Sequence, residues 1–166
     1  MMMNPSASSI FLVQLVCFLV FLPISQCSSQ TPDYDICLFL LKYNGGSGIY
    51  SANRTRLADV MIDVVGLRAT DALSKAIELL RKTPQDLSLT ICRKQYTYIK
   101  LIGVPTVKRD AYMNHQAAKK LMHEIYDRVG EGCEYLFRAG KSPLTEFNLG
   151  VQKVAAIAEA IIGQLG

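Results

Sequence analysis

The stretch "LADVMIDVVGLRATDALSKAIELLR", Leu57 to Arg81, decides the fold. Leu57, Val60, Met61, Val64 and Val65 recur at the i, i+3, i+4, i+7 spacing of one helix face. Ala72, Leu73, Ala76, Ile77 and Leu80 carry the same stripe to about Arg81. A half-buried strand would alternate apolar and polar residues with period two, and this stretch does not. Nor does any comparable run elsewhere in the chain, so no sheet is expected.

Working outward, "TPQD" at Thr83 to Asp86 reads as a fresh start. Thr83 is placed as N-cap, Pro84 at the first helical position and Asp86 near the capping-box acid. The second helix carries Leu89, Cys92, Tyr96 and Ile99 on one face. Gly103 and Pro105 should break or kink it, because proline lacks an amide proton and clashes with the preceding turn. A third helix begins near Asp110 with the stripe Ala118, Leu121, Met122, Ile125, Tyr126, Val129, Cys133, Leu136 and Phe137. Gly140 stands in the C′ position at its end. "KSPLT", Lys141 to Thr145, turns the chain into a fourth helix with Val151, Val154, Ala155, Ala158, Ile161, Ile162 and Leu165 inward. The expected class is all-α, an up-and-down four-helix bundle with short turns. Thr31 to Arg56 contains the short helical "YDICLFLLKY" and then "NGGSG", an N-terminal extension packed on the bundle.

With 166 residues, the chain is long enough for one core and hardly for two. Ile10 to Ile24, "IFLVQLVCFLVFLPI", is apolar and uncharged but short of the about 20 residues a membrane span needs. It fits the hydrophobic region of a signal peptide covering residues 1–25, with cleavage between 25 and 28, leaving 26–166 as a single secreted domain. No second apolar run reaches spanning length, so no membrane association is expected after cleavage. The formal charge of +4 is mild, and no arginine-rich tract or aromatic-studded basic surface points to nucleic acid.

The leader also sets how the cysteines read. Cys17 lies within it, and Cys27, Cys37, Cys92 and Cys133 remain, an even set in an oxidising compartment. Four cysteines allow three connectivities. Cys92 and Cys133 sit on the apolar stripes of consecutive helices, which a bundle sets side by side, so these two should pair. Cys27 and Cys37 then form a local clasp on the extension. Each bridge would contribute about 2–4 kcal/mol by restricting the unfolded chain. No close Cys-x-x-Cys pair is present, and His115 and His123 stand two helical turns apart, so no metal site is expected. Asn53-Arg54-Thr55 is an N-glycosylation sequon that a secreted chain makes meaningful.

No catalytic constellation emerges, and no cofactor is called for. "GKS" at Gly140 to Ser142 lacks the earlier glycine of a phosphate loop, where Tyr135 stands instead. "NGGSG" follows no strand, and neither histidine has a partner acid or nucleophile at readable spacing, so both are expected on the surface. Charge asymmetry is the informative feature. Arg93, Lys94, Lys100, Lys108, Arg109, Lys119 and Lys120 face only Asp110, after which Glu124, Asp127, Glu131 and Glu134 turn the third helix acidic.

The order of these elements resembles a known family. "CSSQTPDYDIC" with "LFLL" comes first, then Leu57, Ala58, Met61 and Val64, then Cys92 with Tyr96. "CEYLF" from Cys133 and "SPLTEFN" from Ser142 to Asn148 complete it. Together they resemble the plant invertase and pectin methylesterase inhibitor family, nearest to its putative-invertase-inhibitor and pollen-allergen branch. The resemblance implies a four-helix bundle with an N-terminal helical hairpin and disulfides Cys27–Cys37 and Cys92–Cys133. It also implies no catalytic residue, and one-to-one occlusion of the cleft of a cell-wall enzyme. Pectin methylesterase is the first expected target and invertase the alternative. A Pro-Lys-Phe element of some invertase inhibitors is absent, the region reading "VPTVKRDAYMN". On this reading Arg93, Lys94, Lys100, Lys108 and Arg109 contribute to the enzyme-docking surface of an apoplastic protein. The competing classes are a helical module holding lipid or acidic pectin, and a bundle that persists as an interaction protein without inhibiting.

Overall fold

The computed structural model describes residues 54–137 and 142–165. The leader, the Cys27–Cys37 pair, Asn53 and the extension up to that residue lie outside the described residues, as does Gly140. What is described is all-helical, with no strand among the described residues. The helices are α1 (Arg54–Lys82), α2 (Leu87–Tyr98), α3 (Val104–Met113), α4 (His115–Gly130) and α5 (Thr145–Ile162). A π-helical turn, Ile99–Gly103, joins α2 to α3, and a 3₁₀ turn, Glu134–Leu136, precedes α5.

Along α1 the expected stripe is inside: Leu57, Met61, Val64, Val65, Ala72 and Ala76 are buried. Ile77 departs from it at 38% exposed, because the second half of the buried face is made of Ala69, Ala72 and Ala76. Arg81 and Lys82 close the helix where its dipole favours cations. The turn that follows corrects the expected cap. Thr83 does not cap α2; its hydroxyl donates back to the Leu79 carbonyl at 3.1 Å. Asp86 N–H closes a turn onto the Thr83 carbonyl at 3.1 Å, with Pro84 at the second position that suits its fixed φ. The first free amides of α2 therefore lie within reach of Asp86, whose carboxylate accepts from Leu89 N–H at 2.9 Å.

Gly103 and Pro105 do not break the second helix. The backbone stays right-handed helical at Tyr98, Ile99, Gly103 and Val104, and α2 runs through the π turn into α3. Val104 N–H reaches the Ile99 carbonyl, five residues back rather than four. That wider turn accommodates the ring of Pro105, which would strike a carbonyl in an ordinary α turn. Gly103 is buried there, and a Cβ on it would lie 3.2 Å from Ile125 Cδ1 of α4.

The third expected helix is also shorter than its stripe. It starts not near Asp110 but at His115, because Asn114 ends one helix and begins the next. Its N–H donates to the Asp110 carbonyl at 2.7 Å, while its side-chain oxygen accepts from Ala117 N–H at 3.1 Å. The helix ends at Gly130 rather than Gly140. At Gly132 a Cβ would sit 2.5 Å from the Arg128 carbonyl oxygen, so only glycine allows the chain to turn so tightly over the helix end. Cys133 leaves that turn beside Cys92, with Cα atoms 5.0 Å apart in a disulfide.

α1 packs on α5, α2 and α3, while α4 packs on α5 and α3. Neighbours run antiparallel: Asp63 and Gly66 of α1 meet Lys108 and Val104 of α3 in reverse order. Likewise His123 and Gly130 of α4 meet Glu159 and Gln152 of α5. One core joins all five helices, with Tyr96, Met61, Ile62, Ile99, Met122 and Ile125 among its largest fully buried side chains. Next to the disulfide the core admits a polar chain. Tyr96 Oη donates to Asn148 Oδ1, and Asn148 Nδ2 donates to a Glu134 carboxylate oxygen. Thr145 Oγ1 donates to the other Glu134 oxygen at 2.6 Å. Burial, reinforced by the Glu134 charge, pushes the Tyr96 pKa well up, so the phenol stays a neutral donor.

Candidate functional site

The outer face of the continuous α2–π–α3 rod is the unusual part of the surface. Leu101 is 64% exposed, Ile102 54%, Tyr112 57% and Met113 78%. Pro105 is exposed as well. At helical spacing, Leu101, Pro105 and Tyr112 follow one line, and Ile102, Arg109 and Met113 follow the next. The strip from Leu101 to Met113 is about 18 Å long at 1.5 Å per residue. Single exposed apolar residues are ordinary, but several adjoining ones on one face mark an interaction surface.

α1 braces this face from one side. Lys108 Nζ lies 2.8 Å from both carboxylate oxygens of Asp63, and the Tyr112 hydroxyl donates to Asp59. The hydrogen bond to Asp59 pushes the Tyr112 pKa up, so the phenol remains protonated in the contact. From the other side Arg128 of α4 reaches across α2, its guanidinium 4.4 Å from the centre of the Tyr98 ring and its Nη1 3.3 Å from Gln95 Oε1. The rod is held on both flanks while its outer face stays open.

The five cations expected in the docking surface all stand on this rod, but they divide into two sets. Lys108 and Arg109 are already engaged, by Asp63 and by Asp110 at 2.8 Å. Arg93, Lys94 and Lys100 are exposed and have no carboxylate partner among the described residues. The apolar members, Leu101, Ile102, Tyr112 and Met113, were outside the sequence reading, which followed charge alone. The signal was present in two consecutive large apolar residues, Leu101 and Ile102, just before the expected break.

His123 does have acid partners, contrary to the sequence expectation: Glu159 at 3.1 Å and Asp127 at 3.6 Å. Its ring also stacks on Tyr126. One surface depression of about 210 Å³ is lined by Arg68, Asp71, Glu146, Phe147 and Gly150, and one of about 340 Å³ by Lys119, Ala156, Glu159, Ala160 and Gly163. Neither sets a hydroxyl or thiol beside a base. No group of three His, Cys, Asp or Glu side chains able to hold a metal ion occurs among the described residues. None of the described helices is long and apolar enough to cross a membrane.

No family model matches the chain, and no curated protein matches it.

Proposed function

We propose that this protein is a secreted, non-enzymatic inhibitor of a plant cell-wall carbohydrate enzyme. Pectin methylesterase is the first target and invertase the alternative. The helices are read as an up-and-down four-helix bundle, with α2–π–α3 counted as one long member and a second disulfide, Cys27–Cys37, on the N-terminal hairpin. In this reading the bundle is a rigid plug that covers the substrate cleft in a one-to-one complex. The observation that carries it is the open face of the rod, where exposed Leu101, Ile102, Tyr112 and Met113 adjoin Arg93, Lys94 and Lys100, cations with no carboxylate partner among the described residues. Apolar side chains supply the affinity of a protein interface, while flanking charge speeds and orients the encounter. The motifs from "CSSQTPDYDIC" to "SPLTEFN" point to the same class of partner.

The test is parallel titration of the oxidised mature protein, with Cys27 retained, against plant pectin methylesterase and acid invertase. Loss of one activity near equimolar ratio names the target. A folded, disulfide-bonded sample that leaves both enzymes fully active, across several isoforms and acidic pH values, defeats the proposal. Retention on a pectin matrix without enzyme would instead support the binding-module class.

A further inference from the structure

We infer that the π turn at Ile99–Gly103 is a docking device: it builds an apolar knuckle, Leu101–Ile102, that enters an apolar pocket rimmed by carboxylates on the partner protein. The inference rests on the inhibitor reading above and specifies the contact within it.

A five-residue π turn covers nearly the same rotation as four residues of α-helix, so it amounts to one extra residue in the rod. The helix on each side keeps its inward face. Leu89, Cys92 and Tyr96 stay buried before the turn, and Val107 and Ala111 stay buried after it. The extra residue must then be absorbed within the turn itself. Ile99 and Gly103 take the inward positions, and the three between them, Lys100, Leu101 and Ile102, are all exposed. Cys92 and Tyr96, the same four residues apart in regular α-helix, also have three residues between them, but Gln95 there is half-buried, whereas all three in the π turn face solvent.

The composition of the gap identifies the partner surface. Leu101 and Ile102 expose two branched apolar side chains side by side, which costs solvation unless a partner covers them. Lys100 beside them, with Arg93 and Lys94 one to two turns earlier, has no carboxylate partner among the described residues. A pocket that receives the knuckle is therefore apolar at its centre, with acidic groups at its rim on the α2 side. On the α3 side Lys108 and Arg109 are engaged already, so the rim need supply nothing there.

The same register argument supplies a clean variant. Deleting Ile102 turns the π segment into an α turn without rotating either flank, and it removes half of the knuckle. Leu101→Ser with Ile102→Ser keeps the π turn and removes the apolar surface alone. Both are titrated against the pectin methylesterase or invertase that the wild type inhibits, with circular dichroism and thermal unfolding on the same samples. The double serine variant should unfold like wild type and bind roughly 30-fold more weakly or worse, as central apolar anchors do. The deletion should weaken binding comparably while keeping its helical content. Wild-type affinity in the folded double serine variant overturns the knuckle and leaves the inhibitor reading standing. A wild type that inhibits neither enzyme overturns the reading and the knuckle with it.

Discussion

The inward face of α2 and the outward face of the π turn that follows it treat polar and apolar groups in opposite ways. Before the π turn, the inward side of the helix buries a phenol and an amide and half-buries a carboxylate, and each finds a partner: Tyr96, Asn148 and Glu134 form one chain beside the Cys92–Cys133 bridge. Within the turn, the outward side exposes Leu101 and Ile102, and Lys100 has no carboxylate partner among the described residues. The first arrangement minimises the free energy of the isolated chain. The second does not, and the deficit is what a binding partner can recover. On the proposed function, stability and recognition fall on opposite faces of one helix, and variants should separate them.

The largest expected effect lies on the inward face. Replacing both Cys92 and Cys133 by Ala should lower unfolding stability by about 2–4 kcal/mol, measured by urea titration. At low temperature, where the variant is still folded, affinity for the enzyme should change little. A bridge that proved neutral to stability would mean helix packing alone holds the 3₁₀ turn in place. Next comes Tyr96→Phe, which leaves Asn148 Oδ1 buried without its donor and should cost about 1–3 kcal/mol. Phe keeps the ring packing, so a loss near zero would show that the hydroxyl is not the donor that Asn148 relies on.

On the outward face the expected signature is reversed. Arg93→Glu with Lys94→Glu should leave stability within about 0.5 kcal/mol, as surface changes usually do. Association with an acidic-rimmed partner should slow by about tenfold or more at low ionic strength, converging with wild type as salt rises. Lys108→Ala should affect association less, because Asp63 already holds that ammonium at 2.8 Å. Equal slowing by both variants would erase the distinction between free and engaged cations.

How much of this could be read beforehand follows from what each residue depends on. The inward stripes were legible because burial repeats at 3.6 residues, and Leu89, Cys92, Tyr96 and Ile99 are all inside as expected. The Cys92–Cys133 pairing was legible because both residues lay on such stripes. Caps were not, since Thr83 and Asp86 are both good capping residues and only the turn through Pro84 and Gln85 decides between them. The end of α4 was hidden because Cys133 and Phe137 continue a helical spacing while packing on the core from either side of a turn instead. The π turn was hidden for a similar reason: Gly103 and Pro105 announce a disruption, but whether the helix breaks or widens depends on Ile125 packing against Gly103. Asp127 stood at i+4 from His123 and could have been noticed, whereas Glu159 could not, being brought there by α5.

The smallest expected effect concerns that histidine, on the far side of α4. The His123 pKa is raised above its ordinary value of 6.5, first by the hydrogen bond to Glu159 and then by the charges of Glu159 and Asp127; desolvation and Lys119 oppose them. A raised pKa means that the folded chain holds the proton more tightly than the unfolded one. The stabilisation is therefore complete below pH 6.5, declines as pH climbs through the folded-state value, and is absent above it. The imidazole is 59% exposed, so water and salt screen most of the attraction. His123→Gln should accordingly unfold slightly earlier than wild type at about pH 5 and together with it at about pH 8. A gap that stayed constant across that range would assign the contribution of His123 to its stacking on Tyr126 rather than to charge. A gap that widened with pH would mean that the proton is held more tightly in the unfolded chain, and the α4–α5 clasp would be set by neutral packing alone.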